Sequence, residues 1–194
     1  MMKIFKNIME EKEPAFSYWD KPTVRLFEGV KVKGRPTRGF GESKFEYAGK
    51  VYTPEPWTEK MMKIKLFAED IMITKFNKKV EFTFCLCGLY ETGEVSIPHH
   101  SDTVPTLNDY VLGVSFGAPR LLEWIKYDYQ IKKRINTSEI NLLYGDKYLT
   151  KEQHLLEDGD VFVFDGYSQM NTTHAIPPIR KIGKRISLTF RTGL

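Results

Sequence analysis

A chain of 194 residues, 41% hydrophobic and 28% charged, matches the averages of soluble globular proteins and is long enough to bury one ordinary core. That balance excludes a disordered polymer, and no window approaches the roughly 18 apolar residues of a membrane span. The N-terminal MMKIFKNIMEEKEP lacks the continuous apolar run of a signal peptide, so one intracellular domain, cytoplasmic or nuclear, is expected; the net charge of +4 is too mild to be a nucleic-acid signature by itself.

Along the chain, Lys31, Lys33, Arg35 and Arg38 form one basic group, and Lys126, Lys132, Lys133 and Arg134 a second. Either can track phosphates or simply face solvent. The segment YWDKPTVRLFEGVKVKGRPTRGFGESKFEYAGKVY is rich in Gly, aromatic and basic residues with little periodicity. It reads as loops and hairpins that carry substrate contacts or, alternatively, as a structural extension. The one long helix is predicted from Pro54 to about Thr74, where Trp57, Met61, Ile64, Ala68 and Ile71 recur at spacings of four and three behind Thr53-Pro54.

Downstream the period falls to two in EFTFCLCGLY, YVLGVSFG, RLLEWIKY, DVFVFDG and KRISLTFR, several of them set apart by Gly or Asp-Gly. Residues 126–157 read as a polar insertion between core strands. Cys85 and Cys87, two apart on a strand, point the same way and read as reduced core thiols. Many short strands after one or two helices predict a mainly β, α+β fold, a sandwich or jelly roll with helices on one face.

Two adjacent histidines open the chemistry. In VSIPHHSD, period two lets His100 and Asp102 converge while His99 and Ser101 face elsewhere, and His174 follows the strand VFVFDG. Two imidazoles and a carboxylate on one side of a metal leave positions open, the facial arrangement of non-heme Fe(II) oxygenases. An isolated H-x-D also serves local hydrogen bonding, so the C-terminal strand matters. In RISLTFR, Arg185, Ser187, Thr189 and Arg191 share one face and Ile186, Leu188 and Phe190 the other. Guanidiniums on a strand dressed for burial need anions. Their α-carbons stand roughly 20 Å apart in extended chain, so leaning inward they can hold the two ends of a small dicarboxylate such as 2-oxoglutarate, or each can pair with a local Asp or Glu.

YETGEVSIPHHSD, YVLGVSFGAPRLLEW, LEDGDVFVFDGYSQMNTTHAIPP and RISLTFR, in that order, resemble the AlkB family of Fe(II)- and 2-oxoglutarate-dependent dioxygenases. RPTRGFGESKFEYAGKVYTPEPW is similar to that family's nucleotide-recognition segment, so the likeness runs from about Phe27 to Leu194. It implies a double-stranded β-helix (jelly roll) in a single domain over 1–194, with an N-terminal extension and nucleotide-recognition lid to about residue 53, a supporting helix over about 54–75 and a core over about 80–194. By position it makes His100, Asp102 and His174 the iron ligands. Arg185 would hold the distal carboxylate of 2-oxoglutarate, Arg191 would lie near its iron-chelating end, and Tyr90 and Ser187 would complete the cosubstrate site. Phe40 and Tyr47 are the stacking aromatics of the lid, Arg35 and Arg38 are placed for phosphates, and Phe27 resembles an intercalating finger; any of these aromatics can equally be packing.

The implied activity is oxidative demethylation of N-methylated bases in DNA or RNA, a repair chemistry, with Fe(II), 2-oxoglutarate and O2 consumed and formaldehyde, succinate and CO2 released. Single-stranded nucleic acid would be the preferred partner, because unstacking a duplex base costs a few kcal/mol, and the protein is expected to act as a monomer away from membranes. Two departures stand out: Val104 replaces an acidic residue that reads the base in family members, and Gly88 replaces an Asn that bonds the cosubstrate. The alternatives are a dioxygenase acting on protein or a small molecule, and a catalytically silent nucleic-acid-binding module.

Overall fold

The computed structural model describes residues 2–22, 24–27, 30–47, 50–102, 109–128 and 148–192. Two antiparallel sheets form its framework. The larger has the order β1-β12-β9-β14-β7-β4, built from Lys3–Phe5 (β1), Val161–Asp165 (β12), Tyr110–Gly117 (β9), Arg185–Arg191 (β14), Phe84–Tyr90 (β7) and Thr37–Gly41 (β4). The smaller has the order β11-β10-β13-β8, from Thr150–Leu156 (β11), Arg120–Lys126 (β10), Thr172–Ile176 (β13) and Ile97–His100 (β8). From β7 onward the chain alternates between the two sheets at every connection except β10 to β11, which is the winding of a jelly roll. Two short hairpins, Val24–Phe27 with Val30–Lys33 (β2, β3) and Phe45–Tyr47 with Lys50–Tyr52 (β5, β6), stand outside both sheets.

Each strand of the large sheet sorts its side chains by parity. Cys85, Cys87 and Leu89 of β7, Leu112, Val114 and Phe116 of β9, Val161 and Val163 of β12, and Ile186, Leu188 and Phe190 of β14 form one core on the outer face. The helix α1, Glu59–Phe76, closes this core with Met61, Ile64, Ala68, Ile71 and Met72. Burial of each large apolar side chain there contributes roughly 1.5–3 kcal/mol. The opposite parity faces the small sheet, where Tyr90, Val111, Phe162 and Phe164 meet Leu122, Trp124, Leu156 and Ile176. Cys85 and Cys87 are free and buried in the outer core, as their spacing predicts.

Three boundaries differ from the sequence reading. The helix begins at Glu59, not Pro54, because Thr58 caps it by accepting a hydrogen bond from Met61 N at 3.2 Å, while Glu55 is still extended and bridges Phe40. It ends at a left-handed Asn77 (φ 53°), whose N–H reaches Ile73 O at 3.0 Å. It is the only α-helix among the described residues, the lower of the one or two expected. Nor is all of 126–157 an insertion, since β11 pairs with β10 along its whole length, from Arg120↔Leu156 to Lys126↔Thr150. Its polar sequence reflects an edge strand whose side chains are mostly exposed.

The N-terminal segment serves both flanks of the large sheet. β1 pairs with β12 (Lys3↔Val163) and β4 with β7 (Phe40↔Cys85). Buried Asp160 fixes the first of these, accepting from Asn7 N at 2.8 Å and from Lys6 Nζ at 2.6 Å.

Candidate metal centre and cosubstrate pocket

Register explains why residues 74 positions apart meet. His100 on β8 lies directly opposite His174 on β13, and His174 opposite Trp124 on β10, so the three share the inner face of the small sheet. The ring centroids of His100 and His174 are 4.3 Å apart. Asp102 follows His100 by two and is held there by its backbone N–H, which donates to Gln169 Oε1 at 2.7 Å, while Ser101 Oγ donates to Thr172 O at 2.6 Å. His100 Nε2 is 3.6 Å from Asp102 Oδ1 and His174 Nε2 is 3.7 Å from Asp102 Oδ2. One ligand atom from each of the three residues lies within 4.8 Å of the others, close enough for a single ion to touch all three.

The donors are in the state a divalent cation requires. His100 Nδ1 donates to Pro98 O at 2.8 Å, which leaves the Nε2 lone pair facing Asp102. Burial, reinforced by His100, pushes His174 down to about 3, so its ring is neutral at physiological pH. Burial alone would raise the Asp102 carboxyl, but the Arg191 guanidinium and the histidines outweigh it and hold it well below the usual carboxylate range. Asp102 Oδ1 and His174 Nδ1 are buried with no hydrogen-bond partner among the described residues. Two imidazoles and one carboxylate with unmet acceptor capacity fit Fe(II) with open positions left over.

His99 faces the other way, as period two requires. Its Nε2 is 3.2 Å from Glu123 Oε2 and its Nδ1 is 3.2 Å from Thr173 Oγ1, so the second histidine of the pair braces β8 against β10 and β13.

Across the gap, the cationic face of β14 points inward. Arg185, Ser187, Thr189 and Arg191 line a pocket with Tyr90, Arg35, Leu122, Phe162, Ile176 and the three metal-ligand candidates. Arg185 is 1% exposed, donates from Nε to Ser115 Oγ at 2.8 Å, and lies over the Tyr90 ring at 5.0 Å. Burial pushes it down to about 10, which leaves it charged at neutral pH, and its Nη1 is buried without a partner among the described residues. A buried cation with a donor to spare is what an incoming carboxylate needs. Arg191 is differently occupied: its Nη2 is 3.0 Å from Asp102 Oδ2. It therefore ties the large sheet to a metal-ligand candidate, the carboxylate pairing that the strand pattern had left open beside a hold on one end of the dicarboxylate.

The lid assignments fare unevenly. Arg38 and Phe40 pair with Cys87 and Cys85, so they occupy the outer face of the large sheet, away from the pocket. Phe40 is 1% exposed and packs on Phe16 at 5.4 Å. Arg38, 8% exposed, gives both arms of its fork to Glu55 at 2.6 Å and sits 4.0 Å over the Tyr18 ring. Neither is presented for stacking or phosphate contact, which corrects the sequence reading; both buttress β4. Arg35 lies in the pocket and not on an outer phosphate track. Phe27 ends β2 and Tyr47 ends β5, in the two outlying hairpins. Val104 lies outside the described residues.

Sequence reasoning missed Ser115, Gln169 and Arg120. A polar residue on the inner parity of the apolar strand YVLGVSFG was a usable signal for Ser115, which stands directly opposite Ser187. Arg120 carried none: it is fully buried, with Nη2 donating to Thr92 O at 2.9 Å and to Gly183 O at 3.0 Å.

Comparisons with known proteins agree with this geometry. The 2OG-Fe(II) oxygenase superfamily matches residues 3–191. A curated relative, "Uncharacterized protein R406" of Acanthamoeba polyphaga mimivirus, is 30% identical over 149 residues, 75% of this chain but only 65% of the relative's length. A solved structure, "The structure of OsALKBH1", superposes with a TM-score of 0.61 at 18% identity, covering 90% of this chain and 83% of the other. At that identity the likeness speaks for the fold.

Proposed function

The chain belongs to the 2OG-Fe(II) oxygenase superfamily, and from that premise we propose that it removes methyl groups from ring or exocyclic nitrogens of nucleic-acid bases by oxidation. The observation that carries this reading is the His100, Asp102 and His174 cluster facing the Arg185 pocket across the two sheets. Fe(II), 2-oxoglutarate and O2 supply the oxidation when bound: the keto acid becomes succinate and CO2, and a substrate C–H bond gains a hydroxyl, which on an N-methyl group releases formaldehyde. His100, Asp102 and His174 hold the iron. Arg185, kept straight by Ser115, takes the distal carboxylate of the cosubstrate, with Tyr90 and Ser187 beside it. Arg191 orients Asp102. Trp124 and Phe164 pack on the His174 ring at 5.8 and 5.0 Å and keep water from that side. The nucleic-acid assignment rests on the sequence likeness to the AlkB nucleotide-recognition segment, with Phe27 and Tyr47 in outlying hairpins where a base can be met. Single strands are the preferred form.

One observation favours a second substrate class. With Arg38 and Phe40 turned to the far face of the sheet, the lid keeps fewer of its expected contacts, and the same oxidation on a protein or small-molecule substrate becomes the alternative. The deciding experiment supplies iron, 2-oxoglutarate and oligonucleotides bearing 1-methyladenine, 3-methylcytosine or N6-methyladenine, in DNA and in RNA, and follows base mass and succinate together. Loss of CH2 from one member, with matching succinate, supports demethylation. Succinate with every oligonucleotide unchanged points to the alternative.

A further inference from the structure

The pocket holds a second guanidinium besides the one assigned to the cosubstrate, and it comes from outside the jelly-roll core. Arg35 precedes β4, where Leu89 N donates to Pro36 O at 2.9 Å and Thr37 pairs with Gly88. By parity it shares the inner face with Thr37, whereas Arg38 faces out. Its guanidinium carbon is 5.4 Å from the centroid of the Tyr90 ring, and that of Arg185 is 5.0 Å from the same centroid.

Gly88 makes this placement possible. A Cβ at that position would stand 2.2 Å from Arg35 Nε and 3.0 Å from its Cδ, so a side chain on β7 there would force the guanidinium to move from its present place. A glycine in the middle of a strand costs local stability, and here the vacated volume holds a charged side chain. From this, and resting on the 2-oxoglutarate reading above, we infer that Arg35 is a cosubstrate-binding residue: it takes the distal carboxylate of 2-oxoglutarate together with Arg185, and Gly88 is the position that admits it. Arg35 and Arg185 both lie within 5.4 Å of the Tyr90 ring centre, and a carboxylate in the pocket offsets the repulsion of two like charges while accepting hydrogen bonds from both. The donor that the family places at position 88 is thereby supplied from the segment leading into β4. Arg35 then specifies a diacid over a keto monoacid, a different task from contacting substrate phosphates.

The test is equilibrium binding to the whole Mn(II)-loaded protein without oxygen, using 2-oxoglutarate and 2-oxopentanoate, which keeps the chelating end and lacks the distal carboxylate. The parent should prefer the diacid. Arg35→Ala should weaken 2-oxoglutarate by about 10–100-fold, the loss expected for one charge-assisted pair, and leave 2-oxopentanoate, Mn(II) affinity and melting temperature unchanged. Arg35→Lys should recover part of the diacid affinity. Gly88→Asn should lower the same preference, and adding Arg35→Ala to it should cost little more. Equal weakening of both keto acids would overturn the inference, because a general packing role would do that. So would unchanged 2-oxoglutarate affinity with weaker oligonucleotide binding, which would return Arg35 to the phosphates. If the Mn(II)-loaded parent itself ignores 2-oxoglutarate, the functional reading falls and the inference with it.

Discussion

Replacing Asp102 by Asn keeps the shape and removes the charge, and the structure fixes what that costs. The carboxylate and Arg191 are 3.0 Å apart with side chains only 2% and 3% exposed, so the change removes one buried partner of an ion pair. Breaking a buried pair by removing one partner typically costs ~3–5 kcal/mol. A chain of this length loses roughly 2–4 °C of melting temperature per kcal/mol, so the metal-free variant should melt about 6–20 °C below the parent at neutral pH. Because the folded carboxyl titrates below its unfolded value of about 3.9, the pair's stabilisation is complete above that pH and is lost as acid protonates the folded group. The gap between variant and parent should therefore narrow on acidification. A second arm adds Mn(II): at roughly 100 times its Kd it should stabilise the parent by ~2.7 kcal/mol, about 5–11 °C, and raise the Asp102→Asn protein little or not at all. Thermal melts with chelator and with Mn(II) read both effects. A metal-free variant within a degree or two of the parent would refute the buried pair, and an undiminished Mn(II) shift would refute the ligand assignment.

Three other outcomes are expected. Arg185→Met should fold and bind Mn(II) normally yet lose 2-oxoglutarate by about 10–100-fold in an anaerobic titration, since Met fills much of the volume without a charge for the carboxylate. Gly113→Ala should destabilise by ~1–3 kcal/mol in a denaturant melt, because its Cβ would stand 2.0 Å from the Phe162 ring on the wall between the sheets. Cys85 and Cys87, buried in the outer core with the Cys87 thiol pushed well up by burial, should resist a thiol reagent in the native protein and both react once it is unfolded.

What could be read from the residues is what one strand's own parity determines. The split of RISLTFR into an apolar and a cationic face, the convergence of His100 with Asp102 just past the end of β8, and the opposite aim of His99 follow from period two along extended chain, and all appear in the structure. His174 could be nominated as the third ligand, but the strand pairing that brings it opposite His100 is non-local and came only with the structure. Arg35, Arg38 and Phe40 show the limit more sharply. All three lie in one glycine- and arginine-rich run, and whether each faces the pocket or the helix depends on the register of β4 against β7, a partner more than forty residues away. Helix capping was equally hidden: Thr53-Pro54 and Thr58 are both plausible starts, and the bridge from Glu55 to Phe40 decides between them.

Both flanks of the large sheet are made from residues before Glu42, and its four central strands from residues after Thr83. During synthesis, then, the polypeptide that will shield the sheet leaves the ribosome first and must wait, without its sheet partner, until β7 has followed it for one flank and β12 for the other. Loop closure over such distances makes folding slow, and until it is complete the nascent protein exposes two bare sheet margins to any neighbouring chain. Cutting away the first few dozen residues would convert a passing stage of biogenesis into a permanent state.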